Sequence, residues 1–142
     1  MMEIVTMNET HVAQIAQLER AIFSDAWSEH SIRTELTNQL ALWLVAVEGD
    51  TVAGYIGSQT VLGEADMLNL AVRPEYRRRG LGRQLVEELI RRLDAAQLTL
   101  EVRVTNLPAQ KLYESMGFTQ VGRRKNYYEK PREDALILQK KN

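Results

Sequence analysis

Cysteine is absent from the 142 residues of this chain. That excludes disulfides, thiolate zinc sites and a cysteine nucleophile, and it fits a reducing cytoplasm. Histidine is scarce: His11 and His30 lie far apart with no clustered ligands, so no metal is expected and both read as surface or helix-face residues. A net basic charge is missing too, because eighteen Lys and Arg face nineteen Asp and Glu. Direct nucleic-acid binding is therefore not expected. The longest apolar run, residues 40–47, is less than half a membrane span and the N-terminus has no signal-peptide flank, so a soluble, cytoplasmic protein without a membrane partner is expected. No repeat, linker or low-complexity segment divides the chain. At this length a single domain over residues 1–142, with one sizeable core, is expected.

What the chain does contain is the run Arg77-Arg78-Arg79-Gly80-Leu81-Gly82-Arg83, between an apolar strand-like stretch and an amphipathic helix. Glycines at 80 and 82 permit backbone conformations that a Cβ forbids, so successive N–H groups can converge on an anion. The positive end of the following helix adds to the same point, and the run reads as a phosphate cradle. No Gly-Lys-Ser/Thr follows, which excludes the nucleoside-triphosphate loop. The dinucleotide fingerprint also fails, because Leu85 stands where a third Gly or Ala is required. What remains is Arg-x-x-Gly-x-Gly, led by Arg77. Taken alone, such arginines are as readily a solvated face.

Residues 3–7 are expected as a first strand, after which Asn8 offers a helix cap. Val12, Ile15, Ala16, Leu18, Ile22 and Phe23 recur at helical spacing, so this helix buries one face and leaves Gln14, Gln17 and Arg20 wet. Ser28 begins a shorter helix to about residue 37. Residues 42–47 and 51–62 form a hairpin around Glu48-Gly49-Asp50. After a turn at Gly63-Glu64, the apolar run 67–72, broken only by Asn69, predicts a central strand buried on both faces and ended by Pro74. The helix after the glycine loop presents Leu81, Leu85, Leu89 and Leu93 on one side. Leu98, Leu100, Val102 and Val104 then alternate with Thr99, Glu101 and Arg103. The apolar set claims the core, and Glu101 projects from the opposite face, toward whatever cleft lies beside the loop. Asn106 caps a further helix, Pro108 sits in its first turn and Gly117 closes it left-handed. Residues 118–124 and 135–138 make the last strands.

This order, strand, two helices, three strands, helix, strand, helix, two strands, covers the whole chain. With the loop spacing it resembles the GCN5-related N-acetyltransferases (GNAT). Several motifs resemble the RimI branch of that family, which acetylates the N-terminal alanine of small-subunit ribosomal protein eighteen: Asn69-Leu70-Ala71-Val72, Leu100-Glu101-Val102-Arg103 with Asn106, Leu112-Tyr113-Glu114-Ser115-Met116-Gly117-Phe118, and Asn126-Tyr127-Tyr128. Ala26-Trp27-Ser28-Glu29 and Arg132-Glu133-Asp134-Ala135 resemble it as well. Departures are Ala26, where many members have proline, and a short connection from Glu129 to Arg132. The resemblance implies an α/β (α+β) GNAT fold: a mixed, mostly antiparallel central sheet of about seven strands with four helices, splayed at the cofactor site. It implies acetyl-CoA as co-substrate, without a metal, and a ribosomal small-subunit protein N-terminus as partner.

Acyl transfer from a thioester to an amine needs a polarised carbonyl, a neutral amine, a protonated leaving group and both reactants held together. The resemblance assigns the first task to backbone N–H groups of Leu70 and Val72, flanking Ala71, and pyrophosphate binding to residues 77–83. It makes Glu101 the base that deprotonates the amine, directly or through water, and Tyr113 the acid for the departing sulfur. Glu101 without it is an ordinary solvated strand residue, Tyr113 an aromatic packed on the sheet, and Asn106, a cofactor contact in the family, simply a cap. Tyr127, Tyr128, Glu133 and Asp134 offer a rim for a peptide N-terminus with basic residues behind it, though the tyrosines are equally ordinary sheet aromatics. Arg123, Arg124 and Lys125 suit edge-strand protection as well. Direct attack is expected. Other readings are acetyl transfer to another amine (a lysine side chain, a polyamine or an aminoglycoside) and a non-catalytic acetyl-CoA-binding module. Oligomeric state is not encoded in these patterns.

Overall fold

The computed structural model describes residues 1–141. The strands are β1 (Met2–Thr6), β2 (Ala41–Glu48), β3 (Thr51–Val61), β4 (Glu64–Val72), β5 (Gln97–Arg103), β6 (Thr119–Glu129) and β7 (Arg132–Lys141). The helices are α1 (Glu9–Ile22), α2 (Glu29–Thr34), α3 (Leu81–Arg92) and α4 (Leu107–Ser115), with 3-10 turns at Glu35–Thr37 and Pro74–Tyr76. All seven strands share one open sheet ordered β1-β2-β3-β4-β5-β7-β6. The β4–β5 pair is parallel, whereas β1–β2, β2–β3, β5–β7 and β6–β7 are antiparallel. The expected mixed seven-stranded, four-helix architecture is what forms. By its contacts the chain divides into two compact units, residues 1–59 with 68–93, and residues 60–67 with the chain from Asp94 onward.

In the first unit, α1 starts where Asn8 accepts from Thr10 N–H, and His11 Nδ1 accepts in return from Asn8 N–H at 3.0 Å. That reciprocal capping box settles two donors a helix start otherwise leaves open. Val12, Ile15, Ala16 and Leu18 of α1 pack with Ile32, Trp43, Val45, Val52, Tyr55 and Ala71 into a buried core. Trp43 lies over its strand partner Gly57, where a Cβ would come 2.6 Å from the ring; only glycine fits there.

Two polar residues of α1 are engaged in the interior, one of them against the sequence reading. Gln14, expected in water, donates to Asp50 O at 2.8 Å and accepts from Val52 N–H at 2.8 Å, tying α1 to the β2–β3 hairpin. Glu19 is wholly buried within the apolar stripe. A period of 3.6 sorts faces by hydrophobicity and is blind to polar side chains that satisfy backbone inside.

In the second unit, β5 pairs in parallel with the start of β4, Glu64↔Gln97 to Asp66↔Thr99, and along its length with β7. Strand β4 therefore begins three residues earlier than expected, and Glu64 and Asp66 are exposed while Ala65 and Met67 are buried. Pairing with β5 recruits those acids into the strand, so the start of β4 is buried on one face only. The hairpin β6–β7 is longer than expected on both sides of its Lys130-Pro131 turn. Strand β6 is the sheet's edge, exposed at nearly every position and carrying Arg123, Arg124 and Lys125, a sequence that discourages edge pairing.

Candidate active site

In the first unit the site residues occupy the end of β4 and the loop into α3. Arg73 N–H bonds Ala53 O of β3 at 2.7 Å. Strand alternation then turns the Ala71 N–H to the same edge and those of Leu70 and Val72 to the other, away from β3. The Val72 carbonyl accepts from Arg77 Nε at 3.0 Å, so the arginine that leads the motif folds back and braces the loop. Arg79 lies 5.1 Å from the Tyr76 ring centroid, and the Tyr76 hydroxyl donates to Glu48 at 2.9 Å. Arg78 and Gly80 adopt left-handed backbone angles, φ 64° and 75°. An arginine in that conformation is uncommon, and paired with Gly80 it curls the loop in the manner of backbone turns that present N–H groups to anions. Gly80 is the N-cap of α3, and no side chain caps that helix start; Leu81 and Gly82 precede its first turn bond, from Gln84 N–H to Gly80 O. An uncapped helix start after such a curl is a ready-made anion site, and it fits a pyrophosphate group.

The second unit holds the titratable residues. Glu101 sits mid-strand opposite Ile137, between buried Leu100 and Val102, as period two predicted. Its side chain is 25% exposed and pairs with Arg124 Nε at 3.4 Å. Tyr113, on α4, is 5% exposed and packs edge-on to Phe118 at 5.5 Å. Burial, and secondarily Tyr128, pushes its phenol above the ordinary range, so the proton stays on at neutral pH. The Asn106 side chain accepts from Ala109 N–H at 3.2 Å as the cap of α4.

The carboxylates of the acidic pair are engaged with their own chain. Glu133 accepts from the Thr105 N–H at 2.7 Å, from the Thr105 hydroxyl and from Arg103 Nη1 at 3.2 Å. Asp134 accepts from Asn126 N–H at 2.8 Å and Arg123 Nε at 2.7 Å. Both carboxyls are held below their ordinary range, Glu133 chiefly by Thr105 and Asp134 chiefly by the Asn126 N–H. These are fasteners of the hairpin. Between Arg124↔Ala135 and Tyr128↔Glu133 the longer strand bulges, with Asn126 left-handed at φ 54°, and Asp134 pins that bulge.

Tyr127 and Tyr128 follow it, edge to face at 5.0 Å. Arg103 lies 4.1 Å from the Tyr128 ring centroid and donates to the carbonyls of Pro131 and Lys130 at 3.0 and 3.3 Å. Burial first, then Tyr127 and Glu101, push the Tyr128 phenol up to about 12. Arg103 was not singled out from sequence; its signal was the period-two spacing that puts it on the face of Glu101.

Comparisons with known proteins bear on this arrangement. The model of the Acetyltransferase (GNAT) family matches residues 12–118. The [Ribosomal protein bS18]-alanine N-acetyltransferase of Escherichia coli K12 is 38% identical over 142 residues, 95% of this chain and 94% of that protein. The crystal structure of the ribosomal-protein-S18-alanine N-acetyltransferase from Escherichia coli superposes with TM-score 0.89 at 36% identity, covering 98% of this chain and 92% of that one. Arabidopsis thaliana NAA60 in complex with acetyl-CoA shares the fold, with TM-score 0.90 at 19% identity over 99% and 98% of the two chains.

Proposed function

Because the chain belongs to the GNAT acetyltransferase family, and is thereby an acetyl-CoA-dependent N-acetyltransferase, we propose that it acetylates a protein N-terminal α-amine, that of the alanine of ribosomal protein bS18. The acceptor rests on the activity for which its bacterial relatives are named. Residues 1–142 then form one N-acetyltransferase domain, and a ribosomal acceptor places it in the cytoplasm.

The observation that carries the chemistry is on the second unit: a part-buried Glu101 on β5 that pairs with Arg124, and on α4 the phenol of Tyr113, buried against Phe118. Acetyl-CoA supplies the acetyl group as an activated thioester. The curled backbone at residues 77–83 and the start of α3 hold its pyrophosphate. The N–H groups of Leu70 and Val72 donate to the acetyl oxygen, worth about 3 kcal/mol each where such donors have been removed in other enzymes. An α-ammonium has a pKa of about 8 and is mostly protonated at neutral pH. Glu101 takes its proton, directly or through a water, and the freed amine attacks the acetyl carbon. Tyr113 gives its phenolic proton to the sulfur as the C–S bond breaks.

The test is acetyl transfer to a peptide carrying the bS18 N-terminus, beside a copy blocked at the α-amine, with the acetyl group located by mass spectrometry. Modification of the free N-terminus alone is expected. Transfer to the blocked peptide would move the acceptor to a lysine side chain. Initial-rate plots are expected to intersect; parallel lines would mean an acetyl-enzyme and overturn direct attack.

A further inference from the structure

The interior of the first unit holds one charged side chain that this chemistry does not use. Glu19 is 0% exposed, amid Ile15, Ala16 and Leu18 of the same helix. Its carboxylate accepts from three neutral donors on three separate segments: the Trp27 N–H of the α1–α2 connection at 2.9 Å, the Asn69 side-chain amide of β4 at 2.9 and 3.0 Å, and the Tyr55 hydroxyl of β3. Burial, then the adjacent Glu19 charge, push the Tyr55 phenol far up, so Tyr55 remains a donor.

A carboxylate removed from water without a cation is costly, and an apolar side chain of similar size would pack there more cheaply. A carboxylate is, however, the one side chain that can accept from three converging donors while offering none. One of those donors, Asn69, immediately precedes Leu70. The Asn69 side chain bonds Glu19, while backbone alternation counted from the Arg73 N–H on Ala53 O turns the Leu70 and Val72 N–H groups to the edge away from β3.

We propose that Glu19 is a positioning residue for acetyl transfer: by clamping Asn69, it sets the backbone of residues 69–72 so that the Leu70 and Val72 N–H groups are aimed before the acetyl oxygen arrives. This rests on the functional reading above. It adds a residue on α1, remote in sequence from loop, base and acid, whose effect runs through one hydrogen-bonded side chain.

The experiment pairs Glu19→Gln with Asn69→Ala and their combination. A glutamine keeps the volume but sets an NH₂ against donors, and Asn69→Ala removes the β4 arm while leaving α1 untouched. Each single change is expected to lower kcat by about tenfold to a hundredfold, the scale of a small misplacement of reacting groups. The double variant should be no worse than the poorer single, since both break one link. In the free protein, the Leu70 and Val72 amide signals are expected to shift in nuclear magnetic resonance spectra of both variants while those of α3 stay in place. Independent, multiplying losses of kcat, or unmoved Leu70 and Val72 signals, would overturn the proposal. Should Glu19→Gln fail to fold, Asn69→Ala decides alone: wild-type kcat with unmoved signals removes Glu19 from catalysis. Wild-type protein inactive on the peptide would instead remove the functional reading, and the amide signals would still test the clamp.

Discussion

The loop at residues 77–83 and the face built on β5, β6 and β7 are built in opposite ways. The loop presents its backbone: Gly80 and Arg78 turn left-handed, α3 starts without a side-chain cap, and two of the arginines are engaged with their own chain, Arg77 on Val72 O and Arg79 on Tyr76. The face presents side chains, each held by others from distant sequence, as Glu101 is by Arg124, Tyr128 by Arg103 and the bulge by Asp134. A backbone site breaks when a Cβ or a charge intrudes. A side-chain site breaks one function at a time, and the lost function names the residue.

The largest effect should come from Gly82→Asp. An acid in the first turn of a helix is compatible with the helix itself, yet it sets bulk and negative charge where the pyrophosphate would lie. Acetyl-CoA binding by calorimetry should vanish while thermal unfolding is nearly unchanged; retained binding would remove the loop from the site. Next is Glu101→Gln, expected to lower turnover at neutral pH by about a hundredfold to a thousandfold, the range for a lost general base, with acetyl-CoA affinity intact. Tyr113→Phe should cost less, about tenfold to a hundredfold in kcat on the same scale, again without a change in cofactor affinity. A large loss of affinity would mean that its packing on Phe118 is its purpose. Smallest is Asp134→Ala, which unpins the bulge before Tyr127. Peptide KM should rise by about a few-fold, the loss of one charge-assisted hydrogen bond being a small effect there, with kcat held. If KM does not move, the tyrosines do not meet the acceptor.

The same contrast explains what could be read in advance. Local rules placed the glycine turn before α3, the caps at Asn8, Ser28 and Asn106, and the part-exposed position of Glu101, because glycine, capping oxygens and period two are written within a few residues. The pairing of Glu133 and Asp134 was not legible, because their partners, Thr105, Arg103, Arg123 and Asn126, are brought to them by β5–β7 and β6–β7 register, which no local pattern carries. The same holds for Gln14 and for the early start of β4. Glu19 had a visible signal, a carboxylate in the i+3, i+4 stripe of Ile15 and Ala16. Reading that stripe by hydrophobicity alone passed over it.

The central claim is that Glu101 exists to take the proton from an amine that is charged at neutral pH. Its most direct measurement is kcat/KM for the free peptide between pH 6.5 and about 9.5, in wild type and Glu101→Gln. The part of its work that is freeing the amine becomes dispensable once the solvent has removed that proton, so the variant's deficit should shrink about tenfold per pH unit toward the amine pKa of about 8 and then level off at a smaller value. A deficit equally large at every pH would contradict the assignment and make Glu101 a structural partner of Arg124.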